Sequence, residues 1–295
     1  MFDELKTFVL FAEEGSLQKV ALRLPLTQPA VTRQIQRLEQ RLGLQLLDRR
    51  QKPPVLTPQG LEVLARSREI IRAFEELKTI AGVPEPEGVF RLGLVNGLAN
   101  ESLAEGFAAV VARFPHVSLR LKSGWSAELA EQHRLGLLDA AIVLSDGSQF
   151  YDAEKIGVEE LVVVGSSGLP VSEKEEQTAW VLGPEPCDAR RSLVGRLAQN
   201  NRPLIVVAEI EHPGLQIGLI RQGLGLGLLP KRLIGEIRPA GIEEIDALGG
   251  PLHLNVMMLR SPHLGSLKKV ADAVATETSA FVAKSKNAPV TKLLG

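Results

Sequence analysis

One cysteine, one tyrosine and two tryptophans stand among 295 residues, aromatics make up only 4%, and the formal net charge is −1. The lone Cys187 can form neither an internal disulfide nor a cysteine-built zinc site, which suits a reducing compartment. No apolar run approaches the roughly 20 residues that a membrane-spanning helix needs, so no membrane partner is expected. The opening stretch MFDELKTFVLF carries acids where a secretory signal carries bases, and a cytoplasmic location is expected. What is present is an apolar share of 44% and a charged share of 23%, the composition of a soluble globular chain long enough for two or three domains.

The small net charge conceals an uneven distribution. Between Lys19 and Lys52, eight bases face two acids, Glu39 and Asp48, for a local charge of +6. A basic block in an otherwise acidic chain is an electrostatic footprint for a polyanion. The periodicity of the same stretch gives it shape. Leu5, Phe8, Val9 and Ala12 recur at helical spacing, Gly15 ends that segment, and Ser16 caps a second helix carrying Leu17, Val20, Ala21 and Leu24. Thr27 caps a third, with Pro29 in its first turn, a buried stripe of Val31, Ile35, Leu38 and Leu42, and Gly43 at its end. Two short helices joined by a tight turn, the second polar and basic outside, make a helix-turn-helix. Gln28, Thr32 and Arg33 stand near the head of that second helix, where they can reach base edges; Pro29 and Ala30 offer apolar surface to a thymine methyl. Arg37 and Arg41, further along, suit phosphates.

The stretches FVLFAEEGSLQKVALRL, TQPAVTRQIQRLEQRLGLQLLDR and LTPQG resemble the winged helix-turn-helix of LysR-type transcriptional regulators over residues 1–60. Val20, Thr32 and Leu47 depart from the residues usual there, as core or isofunctional changes. By this resemblance the segment after the recognition helix forms a wing, with Arg49, Arg50 and Lys52 flanking a groove or the backbone of double-stranded DNA. Pro53 and Pro54 keep that loop extended.

A helix about 30 Å long is expected to follow over residues 58–81, with Thr57 as cap and an apolar stripe of Leu61, Leu64, Ile71, Phe74 and Leu77. That stripe needs a cover, either the chain's own other domain or a second copy. The resemblance implies the second: a linker helix that makes a homodimer, with a homotetramer and contact with RNA polymerase as further expectations, bound to an interrupted palindromic operator. Residues 82–89, GVPEPEGV, read as a hinge.

From Phe90 strands and helices alternate. RLGLV, VSLRLK and LDAAIVL read as strands around helices at residues 103–114 and 126–138, and the order recurs as WVLG, a helix at residues 190–200, PLIVVAEI, a helix at residues 213–222 and GLGLLP. The reading is an α/β multidomain chain whose regulatory half, residues 90–281, contains two α/β subdomains with a cleft between them. By resemblance this half is the family's effector domain, similar to periplasmic binding proteins. Residues 282–295 lack apolar period and read as a flexible tail.

Catalytic and cofactor readings fail. GLGLGLLP follows a helix and lacks dinucleotide-loop spacing; VGSSGLP is not a nucleophile elbow; His116, His133, His212, His253 and His263 are scattered, so no metal is expected. No cofactor or enzyme activity is expected. Loops at strand ends facing helix heads suit a small-molecule effector, which selects Asn96, Gly97, Ser126, and Pro184 to Cys187. Helix-head amides favour an anion, with Arg190 or Arg191 adding a charge-assisted bond. Cys187 near two arginines reads either as a redox sensor or as a small residue lining the cleft, and the second reading of the chain is a ligand-binding or redox-sensing module whose output is protein contact.

Overall fold

In the computed structural model the described residues are 1–78, 85–147, 150, 153–167, 178–237 and 240–284. The N-terminal module consists of α1 (Phe2–Glu14), α2 (Leu17–Arg23) and α3 (Gln28–Leu42). Left-handed glycines, Gly15 at φ 62° and Gly43 at φ 65°, end α1 and α3. The Ser16 hydroxyl accepts from the Lys19 amide at 3.5 Å and Thr27 from the Ala30 amide at 3.4 Å, so both helix heads are capped as the residue types dictate. Phe8, Phe11, Val20, Val31, Ile35 and Leu38 close the core. Leu42 does not extend that stripe: the last turn of α3 stands clear of the core and leaves it 41% exposed. β1 (Leu47–Asp48) and β2 (Val55–Leu56) pair antiparallel and form the wing.

α4 (Pro58–Lys78) begins where the Gly60 amide donates to Thr57 Oγ1 at 2.9 Å. Residues 79–81 of the expected helix lie outside the described residues. Its inner face is taken within the chain: Leu64 is fully buried in the N-terminal core and Ile71 packs against the same cluster. These two residues are therefore not available to a partner helix. The most exposed apolar residues on α4 are Ile70 at 49%, Phe74 at 43% and Leu77 at 62%, at the i, i+4, i+7 spacing of one helix face. Phe74 also meets the Phe2 ring at 4.4 Å.

The regulatory half is built on β3 (Gly88–Val95), which runs parallel to β4 (Val117–Gly124) and β5 (Ala140–Ser145), with α5 (Glu101–Arg113) and α6 (Ser126–Arg134) as crossovers. The second lobe carries the parallel pair β7 (Ala179–Leu182) and β8 (Ile205–Glu209), α7 (Asp188–Gln199), α8 (Pro213–Arg221), β9 (Gly227–Pro230), α9 (Lys231–Ile237) and β10 (Ile242–Glu244). Two long strands, β6 (Glu154–Ser166) and β11 (Leu252–Arg260), link the lobes: β11 pairs with β5 at one end and with β6 along its length, while β6 carries β9 and β10. The main sheet order is β10-β6-β11-β5-β3-β4.

Several boundaries differ from the sequence reading. Gly88 and Val89, assigned to the hinge, already belong to β3, and residues 82–84 lie outside the described residues. α6 stops at Arg134 rather than Leu138, because Gly136 turns the chain at φ 63°. α7 starts two residues earlier than expected, at Asp188. α10 (Lys268–Lys284) carries residues 282–284 in helix, and the rest of the tail lies outside the described residues.

Gly136 is also where the two halves meet. A Cβ there would lie 2.7 Å from the Ala65 Cα of α4, so only glycine permits this approach. Around it a cluster of charges joins three elements. Asp139, fully buried, accepts from the Arg91 amide at 2.7 Å and pairs with Arg72 of α4 and, at 3.5 Å, with the Arg91 guanidinium. Arg91 also pairs with Glu13 of α1, and Arg68 of α4 donates to the Gly136 carbonyl while standing 3.9 Å from Glu13. Burial, aided by neighbouring guanidiniums, lowers the pKa of Arg68 and of Arg72 to about 10, so both stay charged at neutral pH.

Candidate functional site

The surface expected to face DNA is the outer side of α3 with the wing. Gln28, Pro29, Arg33 and Arg37 are exposed, and Ala30 and Thr32 are half-buried beside them. The Thr32 hydroxyl donates to the Gln28 carbonyl at 3.0 Å, leaving its lone pairs as acceptors. Arg33, Arg37 and Lys52 enter no ion pair among the described residues, whereas other expected DNA contacts do. Arg41 pairs with Glu4 at 3.2 Å, Arg49 with Glu39 at 2.6 Å and Arg50 with Asp48 at 2.9 Å. Hydrogen bonds from Arg50 hold the Asp48 carboxyl down at about 2. Glu39 has a structural task that spacing did not reveal: its Oε1 accepts from the amides of Leu46 (2.9 Å) and Leu47 (3.2 Å), fastening the end of α3 to the wing.

The second site is a cleft between the regulatory lobes, enclosing about 990 Å³ with its open mouth included. Of the expected effector residues, Asn96, Gly97, Cys187 and Arg190 line it, and Ser126 and Pro184 do not. Ser126 is fully buried beneath the cleft. Its hydroxyl donates to Asp188 Oδ2 at 2.6 Å and accepts from the Leu144 amide at 2.9 Å, so the head of α6 is bonded to the head of α7 across the lobes. Arg190 does not stand open to an anion: it pairs with Glu185 at 3.0 Å and Glu209 at 2.5 Å.

The lining residues that the sequence reading did not select include Trp125, Glu159, Asp188, Glu211 and Arg232. Arg232 and Glu159 form a buried pair at 2.9 Å, and Arg232 also donates to the Gly97 carbonyl, a second bond between lobes. Its guanidinium lies 4.7 Å from the centre of the Phe281 ring. The partners are 73 positions apart, and no local pattern marks them. Asp188 had a signal, as an acid at a helix head next to Cys187.

Titration behaviour follows from burial. Desolvation raises the Asp188 pKa above its ordinary value against the lowering effects of Ser126 and Arg191. Desolvation likewise pushes the Cys187 thiol up, with Asp188 and Glu185 adding to the rise. A thiol held protonated is a poor nucleophile, so this environment opposes the redox-sensing alternative.

The family profile described as bacterial regulatory helix-turn-helix protein, lysR family, matches residues 2–61, and that described as LysR substrate binding domain matches residues 84–275. The chain is 30% identical over 237 residues to the HTH-type transcriptional regulator YofA of Bacillus velezensis, covering 77% of this chain and 80% of that protein. It is 30% identical over 243 residues to GltR of Bacillus subtilis, covering 80% of this chain and 82% of the relative. Among solved structures, a full-length OxyR variant from Pseudomonas aeruginosa superposes with a TM-score of 0.77 at 18% identity, covering 95% of this chain and 97% of that one. LysG from Corynebacterium glutamicum, solved with bound effector Arg, gives 0.65 at 20% identity, with coverage of 94% and 98%. Matched in both its DNA-binding and its regulatory segment, the chain belongs to the LysR family of effector-responsive, DNA-binding transcriptional regulators.

Proposed function

We propose that the protein acts as a homodimer, or as paired dimers in a homotetramer, on an interrupted palindromic operator. A small molecule in the cleft between the lobes shifts the relative arrangement of its subunits, and RNA polymerase is the partner at the promoter. No chemical step is assigned to the cleft. The mechanism is a population shift: the effector changes DNA occupancy only insofar as it binds one arrangement more tightly than the other.

The observation that carries this reading is the division of labour on α3. Its apolar face is sealed in the core, and its outer face presents Arg33 and Arg37, which enter no ion pair among the described residues. Such cations gain most from phosphate and base edges. The exposed Ile70 and Leu77 on α4 support a second copy as partner, and a two-fold pair would set two recognition helices on successive turns of the duplex.

Selection of the full chain on a random duplex pool, followed by salt titration, tests the reading. Enrichment of two related half-sites separated by whole helical turns, with affinity falling steeply as salt rises, is expected. A pool that yields no half-site pair, or binding indifferent to salt, would overturn it.

A further inference from the structure

Taking the cleft as the effector site, as proposed above, its lining also speaks to the effector's charge. We infer that the effector is a mainly apolar molecule with a cationic, ammonium-like end directed to the Glu211 side of the mouth, rather than an anion.

The walls are apolar: Val95, Leu144, Leu161, Leu182, Leu228 and Leu254 face the space. Its charged lining comprises three acids, Glu159, Asp188 and Glu211, and two bases, Arg190 and Arg232. Both bases are committed. Arg232 is buried against Glu159 and the Gly97 carbonyl, and Arg190 lies between Glu185 and Glu209. At Arg232 an incoming carboxylate would have to displace the buried Glu159 and leave it uncompensated, and at Arg190 it would compete with two carboxylates already in place.

The head of α6, which would favour an anion, is met by one of the chain's own acids. Asp188 opens α7 and accepts from the Ser126 hydroxyl, so the hydroxyl expected to greet an anionic ligand is already taken by the chain's own carboxylate. Ahead of α8, Glu211 lines the mouth, is exposed, and enters no ion pair among the described residues. A cation there gains a charge-assisted partner without dismantling any existing pair.

The two tryptophans supply a readout, because Trp125 lines the cleft and Trp180 is fully buried. Phenylbutylamine, phenylbutanol and phenylbutanoate share one apolar skeleton and differ only in their end group. They would be titrated into the full chain at neutral pH, followed by tryptophan fluorescence and melting temperature. Phenylbutylamine is expected to bind at least about tenfold more tightly than phenylbutanoate, with the alcohol between them. Glu211→Gln, an exposed substitution, should collapse the preference for amine over alcohol. Tighter binding of the carboxylate, or an amine preference untouched by Glu211→Gln, overturns the cationic assignment while leaving the cleft as the effector site. No response to any of the three overturns both readings.

Discussion

The Ser126 hydroxyl and the Asp188 carboxylate, 62 residues apart, meet at 2.6 Å beneath the cleft and join the heads of α6 and α7. Because the same hydroxyl accepts from the Leu144 amide, Ser126→Ala removes one donor and one acceptor from a buried place at once. A loss of about 1 to 3 kcal/mol in unfolding free energy is expected, read from urea denaturation of the full chain. A loss within error of zero would mean that the lobes are not held by this bond.

Asp188 also makes stability depend on pH. Its unfolded carboxyl titrates near 3.8, and burial raises the folded value. Between those two values the folded state binds more protons than the unfolded one, so stability is fully present below the lower value and falls as pH rises through the upper. Asp188→Asn should abolish this acid-range decline. Melting curves for the two proteins that run parallel across that range would contradict the assignment.

Gly136→Ala should be severe. The residue adopts φ 63° and would set its new Cβ 2.7 Å from the Ala65 Cα, combining backbone strain with a clash against α4. About 2 to 4 kcal/mol is expected from the two effects together. Hydrogen exchange should report faster opening of α4, and Ala65→Gly in the same chain should recover part of the loss. Unchanged protection of α4 would show that its contact with the regulatory half is unimportant.

DNA-binding cations should separate by their internal partners. Arg37→Ala is expected to lower the slope of log affinity against log salt by about 0.9 per half-site, the value of one phosphate contact. Arg41 already pairs with Glu4, so Arg41→Ala should change the slope less. Arg33→Ala should relax base preference at one position while leaving the slope nearly intact. Equal effects from all three would place α3 wrongly on the duplex.

On α4 the exposed positions should govern assembly. Ile70→Asp, on a residue 49% exposed, should leave the fold intact and give monomers in sedimentation velocity. Phe74→Asp should do the same with some added loss of stability from the Phe2 contact. A dimer that survives both substitutions would exclude this face from the interface.

Local rules sufficed for the N-terminal module. Caps at Ser16 and Thr27, left-handed stops at Gly15 and Gly43, and the stripe Val31, Ile35, Leu38 all arise from interactions within a few residues, so the sequence by itself determined α1 to α3. The alternation of strands and helices also determined the two-lobed α/β half and put Asn96, Gly97, Cys187 and Arg190 at its cleft. Tertiary structure alone decided what those groups face. The linking strands β6 and β11, the burial of Leu64 and Ile71 in the chain's own core, and the pairs Arg232 with Glu159, Arg72 with Asp139 and Ser126 with Asp188 join residues far apart in sequence. Charge and burial depend on the neighbour that folding brings, not on the adjacent residue. Ser126, Arg190 and Arg191, which pointed to an anion, each have a carboxylate partner within the chain that their neighbours in sequence did not fix as such.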